Sequence, residues 1–479
     1  MSSENSPTKW SQFIPLASVF FFWGFVAASN DILIPVFKKA FDLTQGQSQL
    51  VSLAFYIAYT VGSLIYMGIS LIIGKDIVNK IGYKNGLVLG LSISALGTLL
   101  FYPAANTGSF ALMLSGLFIV ALGFSLQQTV ANPLAIALGP ISTGSQRLTM
   151  AGGINNLGTT LGPLIVSFAI FGTPLAGAAA DMSIESVKIP YLILGLAFLL
   201  VAILLKFSSL PDRPKTIVES ETKVTTSKLS ALKYPQLVLG MIAIFLYVGV
   251  EVSTASNLPA YMEQNLGFKI SEIAPYISLY WASLMIGRWT GAVEAFTNDI
   301  SMRKILRFIA PYLAFGVFLA VNAVAQHDLT PFYIYALVIL VLIAADIASK
   351  GNPARMLLIF SALGIIALGI GMANDGMVSV YAFTSVGLFC STLWPCIFTL
   401  AVSGLGNNTS QGSSFLIMMI MGGGIISWLQ GYLSESIGIH ASYIVGVLCF
   451  AYLAFYAWRV KGILKKQGIS FEENMAGGH

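Results

Sequence analysis

The sequence predicts an all-α integral membrane protein with about fourteen transmembrane spans. Three observations support this prediction: the composition, the recurrence of long apolar runs, and the placement of the basic residues. Of the 479 residues, 56% are hydrophobic and 9% are charged, and the mean hydropathy is +0.81. Because a soluble domain normally carries about 25% charged residues, a chain this poor in charge must place much of its surface in lipid. We therefore expect the lipid bilayer as a partner and no nucleic acid.

Long apolar runs recur along almost the whole chain. A hydrocarbon core of about 30 Å is crossed by a helix of about 20 residues, and several of these runs are longer, which predicts tilted or kinked helices. The predicted spans are 12–37, 48–73, 86–103, 109–138, 147–173, 189–207, 236–262, 273–297, 304–325, 332–349, 354–373, 377–403, 412–433 and 439–460.

The lysines and arginines separate almost completely between the two sides of these spans. With the N-terminus placed inside the cell, only Lys38, Lys39, Lys188 and Lys269, out of 25 basic residues, lie on the outer side. An excess of Lys and Arg in cytoplasmic loops is the general rule of membrane topology, and one missed or invented span would destroy this separation. We therefore expect a multi-pass protein of the cell inner (plasma) membrane with both termini in the cytoplasm.

The longest polar stretch divides the chain into two halves. It lies at 208–234, after the sixth span, and is cytoplasmic by the charge rule. We expect a six-helix bundle at 1–207, this cytoplasmic linker, a C-terminal bundle at 235–462 and a cytoplasmic tail at 463–479. The second half has eight spans, and a helix pair inserted at about 304–349 accounts for the excess, because its removal leaves the sidedness of all later spans unchanged.

The two halves share a weak internal repeat. Asn30 ends an Ala-Ser-Asn triplet in the first span, Asn257 ends the same triplet in the seventh, and Pro35 and Pro259 follow within five residues. Such matches at equivalent spans indicate the parallel repeat of two-bundle transporters, whose substrate sites lie near the bilayer midplane. We therefore include Asn30 and Asn257 among the candidate substrate-binding residues.

Asp31 is the first of two acidic residues predicted inside the membrane. It lies late in the first span, and the alternative to a functional role is that the helix ends at Asn30-Asp31 near the outer interface. Desolvation disfavours the charged carboxylate, so a buried Asp31 could take up a proton on one side and release it on the other. Intramembrane charges are costly and mark functional sites, which makes Asp31 the candidate for cation coupling.

Glu251 is the second intramembrane acid and lies near the middle of the seventh span. No basic residue lies within one helical turn of it in the sequence. A protonated acid that hydrogen-bonds between helices is one interpretation, and a role in cation coupling or substrate binding is the other. Arg288, at the inner end of the eighth span, suggests an interfacial gate or a snorkelling side chain rather than a ligand, and Asp346 in the inserted pair suggests a peripheral position.

Amides and aromatic residues complete the candidate site. Gln128 and Asn132 share one face of the fourth helix because they are four residues apart, and Asn155 interrupts the fifth span. Amides donate and accept hydrogen bonds as sugar hydroxyls do, although single amides also serve helix packing. Sugars also stack on aromatic rings, and Trp394, next to Pro395, is the best candidate for this, with packing as its alternative. The set of residues favours a sugar or another polyhydroxyl ligand.

Other classes of site are missing from the sequence. It contains no Walker motif, dinucleotide fingerprint or Ser/His/Asp arrangement, so we expect neither an enzyme nor a pump driven by ATP hydrolysis, and no cofactor. The three cysteines lie in apolar runs and the three histidines have no metal-ligand spacing, so no disulfide framework or metal site is expected.

Several motifs, taken in order, resemble a known family. They are NDILIP (Asn30–Pro35), ANPLAIALGP (Ala131–Pro140), GRWTG at 287–291 and SSFLIMMIMGGGI (Ser413–Ile425). Together they are similar to the fucose–galactose–glucose:proton symporters of the major facilitator superfamily. This resemblance implies two six-helix bundles (6+6) with alternating access, here with two extra helices. YVGVEVS (Tyr247–Ser253) is similar to the glucose/galactose branch.

The resemblance also implies residue roles. The first-helix aspartate that carries the coupling proton in L-fucose-type members matches Asp31, and their fifth-helix asparagine matches Asn155. Their fourth-helix glutamate matches Gln128, which cannot titrate, and their seventh-helix glutamine matches Glu251. The aromatic residue before their tenth-helix proline matches Trp394. The change at Gln128 leaves proton or sodium as the coupling ion, with Asp31 or Glu251 as its carboxylate, and no transport role follows for the inserted helices.

The leading hypothesis is a secondary active symporter of a glucose- or galactose-type hexose, with proton favoured over sodium. The alternatives are a sodium-coupled sugar symporter, a transporter of L-fucose or N-acetylglucosamine, a facilitator without coupling, a membrane receptor for sugar and, least favoured, a membrane enzyme. We expect a monomer with a small-molecule sugar as its partner.

Overall fold

A computed structural model describes residues 9–73, 81–138, 144–171, 184–212, 230–293, 300–405 and 409–469. Within these ranges the regular secondary structure is helical, with no β-strand. Helices are the expected solution, because the hydrocarbon core contains no water to satisfy backbone N–H and C=O groups and a helix satisfies them internally.

The first half forms six long helices. A one-turn helix, Gln45–Ser48, precedes the second, a short helix, Phe101–Thr107, extends the third, and a 3₁₀ turn, Ile184–Val187, leads into the sixth. The long helices are α1 (Trp10–Ala40), α2 (Leu50–Ile73), α3 (Tyr83–Leu99), α4 (Phe110–Ala137), α5 (Gly144–Phe171) and α6 (Lys188–Phe207).

The second half forms eight helices, several of which are interrupted. The 3₁₀ turns Ser230–Lys233 and Thr330–Phe332 precede α7 and α10, respectively. The helices are α7 (Pro235–Leu266), α8 (Ile270–Ala292), α9 (Ile300–Val324), α10 (Tyr335–Ser349), α11 (Pro353–Ala373), α12 (Met377–Cys390 and Leu393–Val402), α13 (Thr409–Met418, Met419–Met421 and Gly422–Ile437) and α14 (Ile439–Ser442 and Ile444–Lys466).

The fourteen predicted spans correspond one to one with these helices. Thirteen of them are long and apolar enough to cross a membrane, as judged over the described residues. The remaining one is α8, which is less apolar because it carries Glu272 and Arg288 together with several hydroxyl side chains. The prediction of an all-α membrane protein with about fourteen spans is therefore confirmed, and α8 is its most polar member.

The chain divides into two compact units. Unit 1 lies within Met1–Val224 and also includes Lys269–Ser278 and Ala325–His327. Unit 2 comprises Thr225–Phe268, Leu279–Val324 and Asp328–His479. The predicted linker, 208–234, contains the division, and most of it lies outside the described residues.

The same pattern of helix packing occurs in both units. In unit 1, α1 packs along α5 and α3 packs along α6; in unit 2, α7 packs along α13 and α11 packs along α14. These pairs correspond when α9 and α10 are left out of the count. The shared packing pattern therefore supports the weak repeat seen in the sequence. It also agrees with α9 and α10 being a helix pair inserted into the second half.

Glycines allow the closest of these helix pairs to form. A Cβ atom on Gly158 of α5 would lie 2.1 Å from the carbonyl oxygen of Phe21 on α1, and one on Gly422 of α13 would lie 1.9 Å from the carbonyl oxygen of Phe245 on α7. Lipid tails are as apolar as Leu side chains, so close backbone approach takes the place of the hydrophobic effect in holding such helices together.

This packing predicts that Gly158→Ala destabilises unit 1. The added methyl group would clash with backbone rather than with a flexible side chain, and overpacking of this kind typically costs about 1–3 kcal/mol. The measurement is the thermal unfolding midpoint of the purified protein in detergent, and we expect it to fall.

Gly68→Ala is the matched control, because a Cβ atom at this position in α2 would meet nothing within 4 Å. Replacement of a helical glycine by alanine at an open position stabilises the helix slightly, so its midpoint should be equal to or above that of the wild type. A midpoint for Gly158→Ala that matches the control would contradict the packing described for α1 and α5.

Candidate functional site

Asp31 lies inside a continuous helix. Helix α1 extends to Ala40, so nine residues follow Asp31, which corresponds to about 14 Å of helix. The side chain is buried, with 2% exposure. The alternative that the helix ends at Asn30-Asp31 near the interface is therefore wrong.

An apolar cluster covers the helix beyond Asp31. On α1 it includes Leu33, Ile34 and Phe37, which pack with Phe101 and Tyr191 in the interior of unit 1. The rings of Phe101 and Tyr191 are stacked with centroids 3.6 Å apart. On its C-terminal side, Asp31 is therefore followed by tightly packed hydrocarbon, which raises the cost of its charged form.

Two candidate asparagines lie on α1 or against it. Both side-chain polar atoms of Asn30 are buried and have no hydrogen-bond partner. The Asn155 amide donates to the Phe20 carbonyl at 2.9 Å, which ties α5 to α1, and its side chain is partly exposed. A buried amide without a partner costs about 1–3 kcal/mol, so Asn30 has unused hydrogen-bonding capacity that a ligand could satisfy.

The two neighbouring glutamines of α4 have different environments. Gln127 is fully buried; it accepts from the Trp23 indole at 3.0 Å and donates to Ser94 at 3.1 Å, which links α1, α4 and α3. Gln128 lies beside the Tyr59 hydroxyl of α2 and is partly exposed. Asn132, one turn further along α4, is also partly exposed. The face of Gln128 and Asn132 is therefore the accessible one, whereas Gln127 serves packing.

In unit 2, helices α7, α8 and α12 contribute to a cluster that contains Glu251 and Trp394. Tyr247 and Glu251 are one turn apart on α7, and the Tyr247 ring lies 6.2 Å from the Trp394 ring of α12. The Tyr247 hydroxyl lies beside the Glu251 carboxylate, and this hydroxyl and Glu251 Oε2 are both buried. Helix α12 is interrupted at Ser391-Thr392, because Pro395 lacks the N–H that would bond to the Ser391 carbonyl, and Trp394 follows this break.

Helix α8 supplies the two other groups of this cluster. Tyr280, which is fully buried, donates to the Glu251 carbonyl at 2.7 Å. Arg288 is close enough to Glu251 for their charges to interact. A positive charge nearby lowers the cost of a buried carboxylate, so Arg288 can act as a countercharge to Glu251.

Asn257 lies apart from this cluster. It is six residues beyond Glu251, about 9 Å along α7, and is fully buried. Its amide donates to the Ser253 carbonyl of its own helix at 3.0 Å. The repeat thus pairs Asn30, whose amide has no partner, with Asn257, whose amide bonds to backbone.

No metal centre is evident in the part of the chain that the structure describes. It contains no group of three or more His, Cys, Asp or Glu residues that could hold a metal ion. Cys390, Cys396 and Cys449 are buried and free. The residues of the cluster offer hydrogen bonding, charge and aromatic stacking.

Comparisons with known proteins identify the family. The family described as the Major Facilitator Superfamily matches residues 16–345. The chain is 34% identical over 444 residues to the glucose/galactose transporter of Brucella abortus, and the alignment covers 92% of each of the two chains. This chain belongs to the major facilitator superfamily. Within that superfamily it belongs to the fucose–galactose–glucose:proton symporters, as the motifs predict. It is also 29% identical over 465 residues to the L-fucose-proton symporter of Escherichia coli K12, which covers 93% of this chain and 92% of that one.

A solved structure of the same superfamily has the same fold. The crystal structure of the transporter FucP in the outward conformation matches with a TM-score of 0.61 and 27% identity, and covers 94% of this chain and 98% of that chain. The two-bundle fold is therefore confirmed. The superfamily consists of transporters, so the prediction of a transporter rather than an enzyme is confirmed as well.

The sequence reasoning missed Tyr59 and Tyr247 of this transporter's candidate site and did not connect Arg288 with Glu251. Tyr247 lies four residues before Glu251, and this spacing alone could have placed it on the same helix face. Tyr59 and Arg288 come from other helices, and no local pattern shows which side chains they approach. Asp346, expected to be peripheral, is 6% exposed and lies 3.6 Å from the Arg307 guanidinium of α9.

The contrast between the neighbouring glutamines is testable. We expect Gln127→Ala to lower the thermal unfolding midpoint, because it leaves the Trp23 N–H buried without an acceptor, at a cost of about 1–3 kcal/mol. Gln128→Ala should leave the midpoint nearly unchanged, since Gln128 is partly exposed. Both variants would be measured in detergent, and equal losses from the two would contradict the division between a packing amide and a site amide.

Proposed function

We propose that this chain is a secondary active symporter that moves a hexose of the glucose or galactose type together with a proton. The proposal is supported by its similarity over 92% of its length to a glucose/galactose transporter. It is also supported by a buried intramembrane aspartate, Asp31, on the first helix.

Asp31 is the coupling carboxylate in this proposal. In the packed interior of unit 1 the charged form is disfavoured by desolvation, whereas the protonated form is tolerated. A proton taken from outside would therefore let the protein pass through its closed, dehydrated state, and release of that proton inside would reset it. The relative named the L-fucose-proton symporter supports a proton in this role.

In this proposal each unit contributes candidate sugar-binding residues. In unit 1, Asn30, Gln128, Asn132 and Asn155 supply amide donors and acceptors, and Asn30 has both side-chain polar atoms available. In unit 2, Glu251 Oε2 supplies an acceptor for sugar hydroxyls, and the carboxylate there makes stronger, charge-assisted hydrogen bonds than an amide would.

Trp394 supplies the aromatic contact with the sugar. Its ring face carries partial negative charge and attracts the sugar's C–H groups. Its contact with Tyr247 fixes the ring beside Glu251. Asn257 belongs to the same helix, and we assign it a contact with the sugar that forms only if its amide leaves Ser253.

Sodium is the alternative ion, since Asp31 or Glu251 with nearby carbonyl oxygens offers the ligands that a hard cation prefers. L-fucose and N-acetylglucosamine are the alternative substrates. Both questions are decided by uptake of labelled sugars into proteoliposomes under an imposed pH gradient or an imposed sodium gradient. We expect an overshoot of glucose or galactose with the pH gradient alone.

Coupling by Asp31 predicts a specific loss. Asp31→Asn should abolish the overshoot because an amide cannot carry a proton, yet exchange of labelled for unlabelled sugar should persist because the fold and the sugar contacts remain. Both are measured in the same proteoliposomes.

Asp42→Asn is the matched control. Asp42 lies just beyond the same helix, is exposed and has a positive φ of 50°, a conformation that asparagine also adopts readily. It should retain the wild-type overshoot. Accumulation of sugar against its gradient by Asp31→Asn would defeat the coupling role, and an overshoot driven by sodium alone would replace the proton with sodium.

We further propose that the protein works as a monomer in a cell inner membrane, with both termini in the cytoplasm. The distribution of basic residues supports this orientation. Lys39 and Lys269 are exposed near predicted outer ends of helices, and Lys233 and Lys461 are exposed near predicted inner ends.

Cysteine labelling tests this orientation, because the native Cys390, Cys396 and Cys449 are buried. In intact cells a membrane-impermeant maleimide should label Lys39→Cys and Lys269→Cys. It should label Lys233→Cys and Lys461→Cys only after permeabilisation. Labelling of Lys233→Cys in intact cells would reverse the proposed orientation.

A further inference from the structure

The inserted helices α9 and α10 are joined to the rest of unit 2 by buried polar contacts. Tyr335 of α10 is fully buried although it lies in a membrane-spanning helix. A phenol placed there needs a partner, because an unsatisfied hydroxyl in the apolar interior costs free energy. Its contacts lead away from the insert and into α8.

The Tyr335 hydroxyl lies 2.7 Å from the Ser283 hydroxyl of α8. Ser283 itself donates to the Leu279 carbonyl at 2.7 Å. Since that contact uses the serine proton, Tyr335 is the donor and Ser283 the acceptor. The Ser385 side chain of α12 also lies next to the Tyr335 hydroxyl.

Ser283 lies one turn after Tyr280, and Tyr280 is the residue that donates to the Glu251 carbonyl. A Cβ atom on Gly387 of α12 would lie 2.4 Å from the Tyr280 carbonyl oxygen and 3.1 Å from the Ser283 Cβ. Helix α8 thus contacts α10 and α12 and in turn bonds to α7 at Glu251.

The insert is also attached beyond Tyr335. The Tyr381 hydroxyl of α12 donates to the Pro331 carbonyl at 2.5 Å, just before α10. Within the insert, the Tyr312 hydroxyl of α9 donates to the Ala336 carbonyl of α10 at 3.1 Å. These bonds connect the inserted helices to α12 and to each other close to Tyr335. They therefore help to hold Tyr335 in contact with Ser283.

We propose that Tyr335 is a positioning residue for the sugar-binding carboxylate of Glu251 and acts through Ser283 and Tyr280. The inserted helices are then part of the transport machinery rather than an accessory. This inference rests on the role that the proposed function gives to Glu251.

The test is Tyr335→Phe, which removes only the hydroxyl. Sugar exchange in proteoliposomes gives KM and kcat, and we expect KM to rise roughly three- to tenfold, the loss expected from one buried hydrogen bond, with kcat nearly unchanged. A variant that merely folded less well would lower the amount of active protein and leave KM unchanged. Tyr333→Phe is the matched control, because Tyr333 belongs to the same insert and is 56% exposed; its KM should equal that of the wild type.

Ser283→Ala removes the other partner of the same hydrogen bond. It provides the test if Tyr335→Phe does not fold. It should raise KM to a similar extent, and the double variant should be no worse than either single one, because the two residues share one bond. An unchanged KM in Tyr335→Phe, or effects that add in the double variant, would overturn the proposal.

A second measurement does not depend on the substrate. Amide hydrogen exchange in the peptides that cover 247–255 of α7 should be faster in Tyr335→Phe than in the wild type and Tyr333→Phe, and equal rates would overturn the positioning role. If the wild type exchanges neither glucose nor galactose, the proposed function fails, and the hydrogen-exchange comparison still decides whether Tyr335 positions α7.

Discussion

Helices in a bilayer do not associate by hiding apolar surface, since lipid is as apolar as they are, and this constraint governs the whole structure. Association depends on close packing and on hydrogen bonds between helices. Gly158 against Phe21 and Gly422 against Phe245 show the first, with backbones so close that no Cβ atom fits. The bonds from Asn155 to the Phe20 carbonyl and from Tyr280 to the Glu251 carbonyl show the second.

The same constraint separates packing residues from site residues. Buried polar groups take part in packing: Gln127 accepts from Trp23 and donates to Ser94, and the buried Gln236 exchanges amide hydrogen bonds with the exposed Gln467 at 3.1 and 3.0 Å. Among the described residues, some side-chain atoms are buried without a hydrogen-bond partner, including both polar atoms of Asn30. Such atoms cost free energy in a dry interior, so they keep hydrogen-bonding capacity that packing does not use.

The sequence predicts the helices well and the site only in part. Apolar runs and the sidedness of lysine and arginine depend on lipid, which acts on each segment separately, so all fourteen helices and the burial of Asp31 could be predicted. Arg288 beside Glu251 could not, because the contact depends on how α8 rotates against α7. Tyr335 was missed for the same reason: its partner, Ser283, lies 52 residues earlier, and neither residue is unusual in its own helix.

Rigid helix pairs let a transporter move without dismantling its site. Asp31 and Asn155 lie on α1 and α5, which are in glycine-mediated contact and share the bond from Asn155 to Phe20. Glu251 lies on α7, which α13 supports through Gly422 and α8 supports through Tyr280. A tightly packed interface shifts between discrete arrangements and does not deform gradually. The helix contacts that hold Asp31 therefore lie within unit 1, and those that hold Glu251 lie within unit 2.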